Sequence, residues 1–185
     1  MYAILIAENN DAKLRSIYKL SNHACIAAFA GYWKFNHWWG DTMGQRLALI
    51  IGNSAYLDGA LSRLLTPDAD VGALGEILLD PELGGFDDVN VLVNMSSHII
   101  RRSIASFFSK KAREDLLLLY FSGHGVLDDQ GHLYLAVRDT DSKLLRGTAI
   151  SASYITDEMN NSRSQRQLLI LDCCHSGAFA RGTKG

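Results

Sequence analysis

The chain has 185 residues, enough for one ordinary domain. Hydrophobic residues make up 48% of it and charged residues 21%, a composition typical of a globular protein with a core. The net charge of −2 gives no basic surface for nucleic acid or an anionic membrane. No apolar run is long enough to span a bilayer.

The cysteine count indicates a reducing compartment. The chain holds Cys25 and the adjacent pair Cys173 and Cys174. An odd number of cysteines that includes two neighbours is not a disulfide framework, so we predict a cytoplasmic protein.

The first 42 residues differ from the rest. They hold all three tryptophans and show no clear periodicity. Glu8 and Asp11 argue against a secretory signal at this end. Two alternatives stay open: an N-terminal extension without an assigned role, or a biological start at Met43. We therefore divide the chain into an extension, 1–42, and one domain, 43–185.

From Arg46 onward the pattern is regular. Residues 47–51 form a continuous aliphatic run, typical of a buried parallel strand. A helix is predicted to begin at Thr66-Pro67-Asp68 and to end at Asp80-Pro81. Residues 89–93 then predict a second strand.

The second half repeats this alternation. A helix capped by Ser96 or Ser97 precedes the most hydrophobic strand, 116–121. A small hairpin within 125–137 and a short helix at 155–160 lead to a fourth strand, 167–171. Helices that connect buried strands predict an α/β fold of three layers, a mostly parallel sheet with helices on both faces.

Polar residues follow these strands where each one ends. Asn53, Ser122 and His124 come after the first and third strands, and Asp172 and Cys174 end the fourth. Parallel sheets bind ligands beyond the carboxyl ends of their strands, so the sequence predicts a site at this edge.

A thiol and an imidazole stand out in this set. His124 and Cys174 are fifty residues apart, and a cysteine becomes a strong nucleophile when a base ionises it. We predict Cys174 as nucleophile, His124 as base, and the amides of Gly125 and Cys174 as the oxyanion hole. Cys173 should face the opposite side of the strand as an inert core residue. A zinc site is disfavoured, because three consecutive residues at 173–175 cannot all reach one tetrahedral ion.

Two motifs carry a family resemblance. Ser122-Gly123-His124-Gly125, together with Asp172-Cys173-Cys174-His175-Ser176-Gly177, resembles the large-subunit catalytic domain of the caspase-like cysteine proteases, in particular the metacaspases. The spacing agrees with the known separation of about 50 residues between the caspase histidine and cysteine. The resemblance implies the three-layer αβα caspase-like fold and a cysteine endopeptidase that forms an acyl-enzyme.

The resemblance also implies a specificity. In metacaspases an acid and a serine, each two residues before a catalytic residue, line the primary pocket; here they are Asp172 and Ser122. We match a further pocket acid to Asp68. Leu65 stands where caspases carry the arginine that holds a substrate aspartate. Carboxylates in a cleft favour an Arg or Lys side chain before the cleaved bond, although Asp68 could equally be a helix N-terminal acid.

The resemblance implies no required cofactor, although many metacaspases need calcium. Weak candidate ligands are Asp139, Asp141 and Asp157, and solvated loop carboxylates are the alternative reading.

The small-subunit strands of the family are missing from the predicted fold. The fourth strand is therefore expected to leave an exposed edge, covered by a small-subunit segment or by self-association. Protein or peptide substrates are the other expected partners. Two alternative functions stay open: a catalytically silent protein-interaction module, and a caspase-type peptidase specific for Asp.

Overall fold

The computed structural model describes residues 2–8, 18–20, 44–65 and 67–174. The strands are β1 (Tyr2–Glu8), β2 (Tyr18–Leu20), β3 (Arg46–Gly52), β4 (Asp88–Val93), β5 (Leu116–Ser122), β6 (Gly125–Leu127), β7 (Leu133–Leu135), β8 (Ile150–Ser151) and β9 (Arg166–Cys173). The helices are α1 (Pro67–Leu79), α2 (Ser97–Phe108), α3 (Leu145–Thr148) and α4 (Ala152–Asn161). The main sheet has the order β2-β1-β9-β5-β3-β4.

Four strands of this sheet are parallel, which confirms the predicted α/β architecture. β3 lies between β4 and β5, and β9 pairs with the other side of β5. Every strand predicted from an aliphatic run is present within a residue or two of its predicted ends. Continuous apolar runs make such strands because both faces of the sheet are covered.

The two faces of β3 supply two separate cores. Leu49 and Ile51 pack with α2 and α4 through a cluster that includes Ile104 and Met159. Ala48 and Ile50 belong instead to the cluster that α1 covers. Successive side chains of a strand point to opposite faces of the sheet. Residues 47–51 therefore contribute to both cores, and helices cover both faces of the sheet.

The predicted hairpin is also present. β6 and β7 pair antiparallel, and β8 adds a third strand on the other side of β7. Asp128 closes the turn by accepting the amides of Gln130 and His132, and Gly131 has a φ of +80°. Glycine adopts this left-handed conformation most readily because it has no Cβ atom, which explains its place in the turn.

The N-terminus of α2 is held in an unexpected way. The hydroxyl of Ser96 makes no capping bond to the helix. Instead, Asp139 accepts the Ser97 amide at 2.6 Å and the Ser97 hydroxyl at 3.1 Å. A carboxylate from a distant loop therefore satisfies the first free amide of the helix, as a capping residue would.

The edge of β9 is paired, contrary to the expected exposed edge. β1 runs antiparallel to it, from Tyr2 opposite Cys173 to Glu8 opposite Gln167. β2 then pairs with β1 at three positions. The segment that showed no clear periodicity thus provides the strand next to the fourth parallel strand. A further partner at this side of the sheet stays a prediction.

Candidate active site

Three strand ends meet in one row at the carboxyl edge of the sheet. Gly52 at the end of β3 lies opposite Ser122 of β5, and Ser122 lies opposite Asp172 of β9. Neighbouring strands are about 4.8 Å apart, so the residues that follow these three positions share one small region. The predicted convergence of these strand ends is confirmed.

Hydrogen bonds hold both the backbone and the ring of His124. Its backbone amide donates to the Tyr56 hydroxyl at 3.1 Å, and its carbonyl accepts the Ala136 amide at 2.9 Å. Its ring nitrogen Nε2 lies 2.8 Å from the carbonyl oxygen of Ser62. A carbonyl can only accept, so this contact requires a proton on Nε2; a neutral ring with its proton there has its electron pair on Nδ1. That is the tautomer a general base requires.

The His124 and Cys174 motifs touch through Gly125. A Cβ atom on Gly125 would lie 2.1 Å from the carbonyl oxygen of Cys174 and 3.1 Å from Cys173 Sγ. Any side chain here would force the two backbones apart. The glycine after the histidine is therefore required for the start of β6 to lie against the end of β9.

The two adjacent cysteines occupy opposite environments. Cys173 is 1% exposed and belongs to the core, as predicted, whereas Cys174 is exposed. Burial, assisted by the charges of Cys174 and Asp172, raises the pKa of Cys173 to about 12. Cys173 therefore stays a neutral thiol, and Cys174 is the thiol available for chemistry.

Asp172 is a half-buried carboxylate near the end of β9, two residues before Cys174. The Tyr120 hydroxyl donates to its Oδ2 at 3.3 Å. Burial raises the pKa of Asp172, and the charge of Asp70 raises it further. Burial and the charge of Asp172 likewise raise the pKa of Tyr120, which stays a hydrogen-bond donor. Ser122, two residues from Tyr120, is buried.

The two acids of the first turn of α1 have different surroundings. Asp68 accepts the Ser54 hydroxyl at 2.7 Å and the Asn94 amide group at 3.2 Å. Asp70 is the acid of this helix whose charge raises the pKa of Asp172. Sequence reasoning missed Asp70. Residues two apart on a helix face different ways, and nothing in the local sequence shows which one turns toward the strand ends.

The calcium candidates do not form a common site. Asp139 uses both carboxylate oxygens at the start of α2, and Asp141 accepts the Lys143 amide at 2.8 Å. Asp157 lies in α4. Across residues 44–65 and 67–174, no group of three or more His, Cys, Asp or Glu side chains could hold a metal ion. Calcium activation stays an untested prediction, and these three acids do not fit it as a ligand set.

The structure locates the remaining predicted site residues, and their roles stay predictions. Gly125 lies in the β6–β7 pair opposite Leu135, and its role in an oxyanion hole stays a prediction, as does that of the Cys174 amide. Leu65 is 97% exposed, without a packing role. The part of the second motif at 175–177 lies outside the described residues.

Comparison with known proteins agrees with this geometry. The family model for the caspase domain matches residues 45–185. The chain therefore belongs to the caspase-domain family of peptidases. This membership indicates a function of the cysteine-peptidase type.

A solved structure is similar to this chain in fold. The crystal structure of protein GSU0716 from Geobacter sulfurreducens is similar to this chain, with a TM-score of 0.57 and 19% identity. The match covers 71% of this chain and 51% of that one, so it spans about half the length of the solved protein. At this identity the likeness shows the fold alone. A search of curated proteins finds no match. None of the described helices is long and apolar enough to cross a membrane.

Proposed function

We propose that the chain is a cysteine endopeptidase that cleaves peptide bonds after Arg or Lys. The observation that carries the proposal is the junction of the two motifs at Gly125, with the Nε2 proton of His124 held by the Ser62 carbonyl. This arrangement supports a Cys174–His124 dyad, because His124 can accept the thiol proton on Nδ1.

The reaction would proceed in two halves. The Cys174 sulfur attacks the peptide carbonyl carbon, a C–S bond forms, and the oxyanion is stabilised by the Gly125 and Cys174 amides. Collapse breaks the C–N bond, and His124 donates its proton to the leaving amine. Water then attacks the thioester carbonyl carbon while His124 accepts a proton, and a C–O bond forms. The C–S bond breaks, the acid product leaves, and the proton returns from His124 to the Cys174 sulfur.

The charges at the strand ends support a preference for a substrate with a basic side chain before the cleaved bond. Asp172 and Asp70 are close enough for their charges to interact, and Ser122 and Tyr120 lie beside Asp172. Two carboxylates attract a guanidinium or ammonium group and repel a substrate aspartate. We therefore place Asp172, Asp70 and Ser122 in the pocket for the residue before the cleaved bond.

Fluorogenic peptides ending in Arg, Lys or Asp test the proposal, with and without calcium. We expect wild type to cleave the Arg and Lys peptides. Cys174→Ala should lower kcat by roughly a thousandfold or more, because the acyl-enzyme cannot form. Cys173→Ala is the matched control: it removes the neighbouring thiol from the core and should leave kcat within a few-fold.

Other results point to other functions. Cleavage that survives Cys174→Ala would contradict the mechanism. Cleavage of Asp peptides alone would identify a caspase-type specificity. No cleavage of any peptide would indicate a silent protein-interaction module.

A further inference from the structure

Tyr56, in the loop after β3, makes two contacts with His124 and one with Asn53. Its hydroxyl oxygen accepts the backbone amide of His124 at 3.1 Å. The same hydroxyl donates to the carbonyl of Asn53 at 2.8 Å. Its ring packs against the His124 imidazole, with centroids 5.0 Å apart and planes tilted by 37°. One side chain thus connects the end of β3 to both the backbone and the ring of the histidine.

Gly123 provides the space that this contact needs. A Cβ atom at Gly123 would lie 3.2 Å from the Tyr56 hydroxyl and 2.9 Å from the Phe121 ring. A side chain at this position would clash with the Phe121 ring and push the Tyr56 hydroxyl by a few tenths of an ångström. The two glycines of the histidine motif thus leave room for different neighbours: Gly123 for Phe121 and Tyr56, and Gly125 for the backbone of Cys174.

The protonation state of Tyr56 suits a bridging role. Burial raises its pKa to about 12, and the charges of Cys173 and Asp68 raise it a little further, whereas the hydrogen bond from the His124 amide acts in the opposite direction. The group is therefore a neutral hydroxyl at physiological pH. A neutral hydroxyl can donate and accept at once, whereas a phenolate could not donate to Asn53.

We propose that Tyr56 is a positioning residue: it fixes the backbone and ring of His124 so that Nδ1 is presented to Cys174. Tyr56 acts through His124 and needs no contact with substrate. The expected effect on kcat rests on the proposed function, whereas the positioning of His124 does not. Misplacing a base by a fraction of an ångström weakens proton transfer while leaving substrate binding intact.

Tyr56→Phe removes the hydroxyl and keeps the ring. We expect kcat on Arg peptides to fall about tenfold, the usual scale for one lost hydrogen bond, with KM unchanged. The matched control is Tyr154→Phe in α4, which removes a hydroxyl that donates to the Arg101 carbonyl at 2.8 Å. This control should leave kcat unchanged. If Tyr56→Phe also keeps kcat within twofold of wild type, the proposal is wrong.

Alkylation provides a readout that needs no peptide substrate. Iodoacetamide labelling of Cys174, separated from Cys173 by tandem mass spectrometry, is followed as a function of pH. In wild type, coupling to His124 should sustain labelling at pH values where an ordinary thiol is inert. Tyr56→Phe should lower this acid-side rate about fivefold or more, and Tyr154→Phe should not. An unchanged pH profile in Tyr56→Phe would overturn the proposal.

A double-mutant cycle tests whether Gly123 and Tyr56 act through the same contact. Gly123→Ala crowds both Phe121 and the Tyr56 hydroxyl and should lower kcat; adding Tyr56→Phe to it should cost less than Tyr56→Phe costs in wild type, because part of the loss is shared. Additive losses would count against a shared contact. If wild type cleaves no peptide while Tyr56→Phe still changes the labelling profile, the positioning role stands and the endopeptidase proposal falls.

Discussion

Asp172 carries the clearest electrostatic signature at the candidate site. Its carboxylate is half-buried, and burial followed by the charge of Asp70 raises its pKa. The folded chain therefore binds a proton at this group more tightly than the unfolded chain does. The ionised carboxylate reduces stability above the folded pKa, and this cost disappears as the pH falls toward the unfolded pKa.

We expect Asp172→Asn to separate binding from stability. KM for Arg peptides should rise roughly ten- to a hundredfold, since one charge-assisted interaction is lost. Near neutral pH the variant should unfold at a higher urea concentration than wild type, and the gain should vanish in acid. In wild type, affinity for Arg peptides should fall as the pH drops through the raised pKa. An unchanged KM would contradict this role.

Asp70 and Asp68 allow a matched test of the second carboxylate. Asp70→Asn should raise KM for Arg peptides, because the charge of Asp70 reaches Asp172. Asp68→Asn should leave KM near wild type and lower stability, because Asp68 binds Ser54 and Asn94. The opposite result would assign the pocket acid to Asp68, as the sequence pattern predicts.

At the scale of elements, α1 attaches to the sheet through one face. Val71, Leu74 and Leu78 are buried against Ala48 and Ile50 of β3. Their spacing of three and four residues forms a single apolar stripe along the helix. Because α1 carries Asp70, the packing of this stripe sets where that carboxylate lies.

Adjacent leucines in α1 give a controlled measure of this packing. Leu78 is 0% exposed and Leu79 is 49% exposed. Leu78→Ala should lower the free energy of unfolding by about 2–5 kcal/mol, through lost burial and a cavity. Leu79→Ala, the same change one residue later, should cost less than about 1 kcal/mol. Urea denaturation measures both, and equal losses would show that α1 does not pack as described.

At the scale of the whole molecule, the sheet extends beyond the matched domain. The caspase-domain match begins at residue 45, whereas β1 comes from residues 2–8. Both main cores draw their described side chains from residues 47–173. Beside these cores, β1 contributes backbone pairing along β9. An unpaired strand edge offers amides and carbonyls to any other chain.

A chain that begins at Met43 tests this division. We expect it to fold, because it keeps the described side chains of both cores, and to self-associate through the open edge of β9. Sedimentation velocity over a range of concentrations, compared with the full chain, measures the effect. A variant with Ile4 and Leu5 both replaced by proline should associate in the same way, since the amides of adjacent residues point to opposite sides of a strand and proline cannot donate to a strand ladder. Truncated protein that stays monomeric at every concentration would contradict the covering role of β1.

Much of the fold could be predicted because its signals are local. The aliphatic runs of β3, β5 and β9 are visible in the sequence, and parallel pairing brings their carboxyl ends together. The motifs with His124 and Cys174, which come directly after two of those runs, are therefore predicted to be neighbours. The pairing of β1 with β9 could not be predicted, because it joins strands more than 150 residues apart in the chain and depends on which edge is open.

The sequence by itself determined the α/β class, the strand ends and the two motifs, with His124 and Cys174, that follow those ends. Periodicity and motif spacing carry this information, since burial on both faces requires continuous apolar runs. Only the tertiary structure decided that the Ser62 carbonyl and Tyr56 hold His124, and that Asp70 is the acid of α1 that acts on Asp172. These relations depend on loop paths and on the rotation of a helix about its axis. Both are set by packing between distant parts of the chain.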